Sequence, residues 1–150
     1  MPRIAEGKFK ELTGQIIGAA IEVHRNLGPG LLESTYEECL DWELRELGCA
    51  VSRQVKVPLT YKGRTLESTY RLDLLVEHSV IVDIKAVDHL ADIHHAQLLT
   101  YLRHTGVEVG LLINFNSPVL RDGIKRLVLG RSVAVDVVGN RGPTCAGSSR

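Results

Sequence analysis

The stretch Tyr70-Arg-Leu-Asp-Leu-Leu-Val-Glu-His-Ser-Val-Ile-Val-Asp-Ile-Lys-Ala86 decides the fold. Tyr70 to Val76 and Val80 to Ala86 are two strand-like runs, and so short a connection implies an antiparallel hairpin. In the second run Val80, Val82, Ile84 and Ala86 share one face, which is apolar throughout and is expected to pack on a helix. Asp83 and Lys85 project from the other face, because side chains two apart on a strand point the same way. A three-residue turn, Glu77 to Ser79, sets Asp73 directly opposite Asp83. A two-residue turn at His78-Ser79 puts it on the wrong face unless a bulge intervenes.

Upstream, Phe9 to Leu27 has helical periodicity, with Ile16, Ala20, Val23 and Leu27 in one stripe and Ile17, Ile21 and His24 beside it. Gly28-Pro29-Gly30 stops that helix. A second helix is expected from Leu31 to Leu47, ended by Gly48, with Tyr36, Leu40, Leu44 and Leu47 inward and Glu37 and Glu38 facing solvent. The period then drops to two: Val51, Arg53, Val55 and Val57 alternate with Ser52, Gln54 and Lys56, and a turn follows at Lys62-Gly63. Downstream, a helix over Leu90 to His104 ends at Gly106, and Val107 to Asn114 is an apolar run suited to a strand covered on both faces. A helix between two strands makes a crossover, so this strand is expected to run parallel to its neighbour. Ile124 to Val128 and Val133 to Val138 are expected edge strands, and 139–150 reads as a disordered tail. The expected architecture is one α/β sandwich domain over 1–138, a mixed central sheet flanked by helices.

With 150 residues the chain fits one domain and buries enough surface to need no staple. Lys plus Arg number 18, as do Asp plus Glu, so no global positive field draws the chain to nucleic acid or membrane; such binding needs a local patch. Cys39, Cys49 and Cys145 have no metal-ligand spacing and cannot all pair, which favours a reducing cytoplasm. Cys39 is expected on a buried helix face. The first ten residues carry no apolar signal core, and no run approaches the roughly 20 residues of a membrane span.

Asp73 and Asp83 side by side repel unless a cation sits between them, and oxygen-only ligands suit Mg²⁺ or Mn²⁺. A lysine such as Lys85 beside that ion can activate water or stabilise charge on a phosphate. The plainer alternative is a cross-strand salt bridge. Glu33 extends the buried stripe of the second helix and would need a partner there; otherwise it is a first-turn acid favoured by the helix dipole. On the third helix His94, Gln97 and Tyr101 form a polar stripe beside Ala91, Leu98 and Leu102, able to touch a phosphate or simply mark the boundary with solvent. His24 reads as a satisfied helix-face histidine.

Taken together, Gly30-Leu-Leu-Glu33-Ser-Thr-Tyr36, the preceding Ile16-Ile-Gly-Ala-Ala-Ile-Glu-Val-His24 and the later Leu112-Ile-Asn-Phe-Asn116 resemble the GxxExxY protein family. The resemblance spans about Leu12 to Val128. That family is grouped with the PD-(D/E)XK nuclease-like superfamily, whose restriction-endonuclease-like fold carries an acid on an early helix, an Asp on one strand, acid-x-Lys on the next and often Gln-x-x-x-Tyr on the following helix. Glu33, Asp73, Asp83 with Lys85, and Gln97 with Tyr101 occupy those places in order. The resemblance implies phosphodiester hydrolysis by Mg²⁺ or Mn²⁺, with DNA as the expected substrate. Asp73 and Asp83 would be ligands, joined by Glu33 directly or through water and by the Ile84 carbonyl. Lys85 would assist the water, and Gln97 and Tyr101 would position the phosphate or the lysine. Asp at 83 is one methylene shorter than the commoner Glu, so the metal must sit closer or be reached through water. Double-strand cleavage would call for a homodimer. The alternative function is a non-catalytic module, binding nucleic acid or protein, that keeps the fold.

Overall fold

Alternating apolar residues around Glu77-His78-Ser79 build the centre of the sheet, and a computed structural model describes the chain over residues 2–129. Helices α1 (Pro2–Leu27) and α2 (Glu33–Glu46) come first. They are followed by β1 (Val51–Tyr61), β2 (Arg64–Val76), β3 (Val80–Lys85), α3 (Asp92–Thr105), β4 (Val109–Asn114), a short 3-10 turn (Leu120–Gly123) and β5 (Ile124–Val128). The five strands pair in chain order, β1-β2-β3-β4-β5. β3 and β4 run parallel, joined through α3 as a crossover requires, and the other pairs are antiparallel. Val133 to Val138 and the expected tail lie outside the described residues.

The sheet is covered on both sides, so its central strands are almost wholly apolar. Val80, Val82 and Ile84 pack with Leu111 and Ile113 against Ile16, Ala20 and Val23 of α1 and Tyr36, Leu40 and Leu44 of α2. On the other side Ile81 and Leu112 meet Leu98 and Leu102 of α3. At Gly110 a Cβ would lie 2.9 Å from Leu98 Cδ1, so any larger residue would have to displace the Leu98 side chain of α3. Among the described residues no helix is long and apolar enough to cross a membrane.

Four expectations are corrected. Glu37 is buried rather than solvent-facing, with 6% exposure. Leu47 is 54% exposed, because α2 ends at Glu46 and the helical period stops there. Ala91 sits on the surface ahead of α3 rather than in its apolar stripe. Finally, β1 does not keep one face inward. Val51 belongs to the core under α1 and α2, whereas Val55 and Val57 pack toward α3. In β2, Leu74 and Leu72 part in the same way. The ladder runs Arg53↔Leu74 and then Val55↔Leu72, skipping Gln54 and Asp73, and Gln54 holds a φ of 52°. A non-glycine residue in the left-handed region turns the strand locally. The β1–β2 hairpin therefore changes face at Gln54 and Asp73.

Candidate active site

The turn has the odd length that the register requires: Glu77 and His78 take positive φ and Ser79 N–H closes onto Val76 O. Pairing proceeds Val76↔Val80, Leu75↔Ile81 and Leu74↔Val82, which brings Asp73 level with Asp83. There the ladder opens. Ile84 N–H donates to Asp73 Oδ2 at 2.8 Å instead of to the neighbouring backbone. The N–H and C=O of one strand residue point to the same edge, so the Ile84 carbonyl also faces the opening beside Asp73.

Asp83 is 4% exposed, and its Oδ2 is the buried side-chain oxygen without a hydrogen-bond partner among the described residues. Its Oδ1 lies 3.5 Å from Lys85 Nζ. Burial pushes the carboxyl of Asp73 up to about 6; the Ile84 N–H opposes this and the charge of Asp83 adds to it. Asp83 is also raised, chiefly by burial, with Lys85 pulling the other way. Each acid bears on the titration of the other, so the two lose their protons as a pair. Two adjacent buried acids raised by burial, with one oxygen uncommitted, fit a hard divalent ion.

Glu33 arrives by a different route. Gly28 and Gly30 take φ of 72° and 102°, a bend that favours glycine. Tyr36 stacks on Phe115 with centroids 4.5 Å apart. Its hydroxyl donates to Gly28 O and accepts from Leu31 N–H, pinning the bend. The Gly-x-x-Glu-x-x-Tyr spacing thus serves to present Glu33, whose Oε2 accepts from Ala86 N–H at 3.1 Å just beyond Lys85. Its charge reaches Asp83. Among the described residues no three or more His, Cys, Asp and Glu side chains stand close enough to share one metal ion. Glu33 therefore does not form one such group with Asp73 and Asp83.

On α3, Gln97 Oε1 accepts from Lys85 Nζ at 3.2 Å. Tyr101 stacks on Tyr70 at 4.4 Å, and burial, then the charges of Asp83 and Asp73, raise its hydroxyl pKa. His94 caps α3 instead of joining this stripe: its Nδ1 accepts from Ala91 N–H. His24 Nε2 hydrogen-bonds Ser117 O, a satisfied histidine as expected. A cleft of about 570 Å³ opens over Asp73, lined also by Leu32, Glu33, Glu37, Gln54 and Ala86.

Two residues that hold the site were not singled out from the sequence. Buried Glu37 accepts from Arg53 Nε at 3.1 Å and from Gln54 Nε2 at 2.8 Å, fixing the strand where it turns. Its spacing of four from Glu33 places both acids on one helix face, a signal that was available. Asn114, 2% exposed, clamps Val87 by accepting from its N–H and donating to its C=O, which anchors the chain leaving Lys85. Nothing in the apolar run around Asn114 announces that role.

A mixed sheet with an acidic residue on one strand and Asp-x-Lys on the next, beside a helix bearing Gln-x-x-x-Tyr, defines a class of nuclease-like domains. The family model described as the PD-(D/E)XK nuclease superfamily matches residues 10–127, and the chain belongs to that superfamily. Comparison with curated proteins and with solved structures gives no match.

Proposed function

We propose that this chain hydrolyses phosphodiester bonds of nucleic acid, with DNA the expected substrate and Mg²⁺ or Mn²⁺ the cofactor. The observation that carries the proposal is the uncommitted, buried Oδ2 of Asp83 beside Asp73, with Lys85 Nζ 3.5 Å from the other Asp83 oxygen. Asp73 and Asp83 would hold the ion, the Ile84 carbonyl would complement them, and Glu33 would reach it through water. When bound, the ion supplies positive charge to the scissile phosphate and acidifies a water molecule. Lys85 orients the attacking water and stabilises charge growing on the phosphate. Gln97 holds the Lys85 ammonium in place, and Tyr101, whose hydroxyl feels the charges of Asp83 and Asp73, would position the phosphate or the lysine. Family membership supports nuclease chemistry in general, and the Gly30–Tyr36 motif supports the narrower GxxExxY assignment. The same reading places the chain in the cytoplasm over a domain of residues 1–138, and it requires two copies for a double-strand cut. The two-carboxylate count favours one competing reading, a module that binds nucleic acid or protein without cutting.

Calorimetric titration of Mn²⁺ tests the ligand set. Wild type and Lys85→Ala are expected to bind with similar affinity, and Asp83→Asn to lose binding. Unchanged affinity in Asp83→Asn would overturn the assignment.

A further inference from the structure

The hairpin's change of face has a consequence beyond the acidic pair. Beyond Gln54 and Asp73, Val55 pairs with Leu72 and Val57 with Tyr70, and all four turn toward α3. Lys56 and Arg71, directly opposite one another between those pairs, must project from the other face of the hairpin. Gln54 lies on that face, since its side chain reaches Glu37 on α2. Lys56 follows Gln54 by two residues, and Arg71 precedes Asp73 by two, each a step of roughly 7 Å along a strand. Gln54 and Asp73 both line the cleft. The cationic pair therefore continues the cleft wall outward.

Like charges directly opposite on neighbouring strands destabilise a ladder. Both residues are exposed, and among the described residues neither side chain enters an ion pair or a hydrogen bond. Arg53 differs: Glu37 already holds it. Two uncompensated cations on a rigid ladder, adjacent to an acidic cleft, match a phosphate group on the same chain of a polymer whose other phosphate enters the cleft. A neutral net charge makes such a local patch the available source of attraction for a polyanion.

We infer that Lys56 and Arg71 form a backbone-phosphate subsite, gripping the strand of nucleic acid next to the phosphate held at Asp73 and Asp83. The inference rests on the nuclease reading and names where the substrate leaves the cleft. It assigns the pair a role in affinity and register, with no base recognition.

The test is fluorescence anisotropy of a short labelled single-stranded DNA in chelator across a salt series. The proteins are wild type, Lys56→Ala/Arg71→Ala, and the control Lys125→Ala/Arg126→Ala on the far strand β5. The pair variant is expected to bind roughly tenfold or more weakly at low salt. Its log–log salt slope is expected to be shallower by about 0.7 to 1.4, the loss of one or two phosphate contacts on a single strand. The control should stay within about twofold of wild type, since the same charge is lost far from the cleft. The pair variant should also melt at or above the wild-type temperature, since a repulsion has been removed. Wild-type affinity and slope in the pair variant would overturn the inference, as would a lowered melting temperature that accounts for the loss. Cleavage by wild type that vanishes in Lys85→Ala, measured in parallel with metal, keeps the nuclease reading standing in that case. Wild type that neither binds nor cuts would end both.

Discussion

Asp73 and Asp83 are the proposed metal ligands, and burial raises the pKa of both. Folded, Asp73 keeps its proton until about pH 6, whereas an unfolded aspartate releases it near 3.8. Between those values the folded state binds more protons at Asp73, so the stability this group contributes is present at the acid end and is lost as pH rises through the window. The loss is on the order of 3 kcal/mol. Thermal melts in chelator should therefore show a fall between about pH 4 and pH 6 that Asp73→Asn flattens. A profile equally steep in the variant would place the titration elsewhere. The same proton competes with metal, so Mn²⁺ affinity should drop as pH falls below about 6. Calorimetry at two pH values reads this directly, and a pH-independent affinity would contradict it. At this scale the sequence was informative: Asp73, Asp83, Lys85 and Gln97 do converge. An Asp two residues before a Lys on a strand can point only one way, and an odd turn fixes the partner. That Glu33 would settle on the Ala86 N–H could not be read, because it depends on how the Gly28–Gly30 bend aims α2.

The β1–β2 hairpin shows what periodicity misses. The residues Val51, Arg53, Val55 and Val57 alternate without a break, yet they serve two different faces of the molecule. The cause is one backbone torsion at Gln54, and nothing in its composition marks it, since glycine is the residue expected at positive φ. The first half of β2, Arg64 to Thr69, was also illegible, because Arg64, Thr65, Leu66, Glu67 and Thr69 are exposed and no apolar alternation arises. Glu37 holds the turned segment. Glu37→Ala removes the acceptor for Arg53 and Gln54, and it should cost about 1–3 kcal/mol by thermal or denaturant unfolding. Glu37→Gln, which keeps an acceptor for Gln54, should recover part of that. Equal losses in the two would show that charge alone matters there. Gly110→Ala forces a methyl into Leu98 and should cost about 1–3 kcal/mol.

Across the whole molecule, helix and strand order, the antiparallel centre and the parallel β3–β4 pair were all readable. Each follows from local period and connection length, which are sequence properties. The clefts and charged faces were not, because they arise where the sheet twists and the strands part. A chain with balanced charge gives no overall hint of its partner, yet the fold sorts those charges, with acids in the opening between β2 and β3 and cations on the adjoining hairpin face. That arrangement supports the proposal of an anionic substrate. The most direct measurement is cleavage of single- and double-stranded DNA and RNA by purified protein, with Mg²⁺, Mn²⁺ or chelator, alongside Lys85→Ala. Strand scission is expected to require the metal and to disappear in Lys85→Ala. No scission under any condition, or equal scission by the variant, would contradict it.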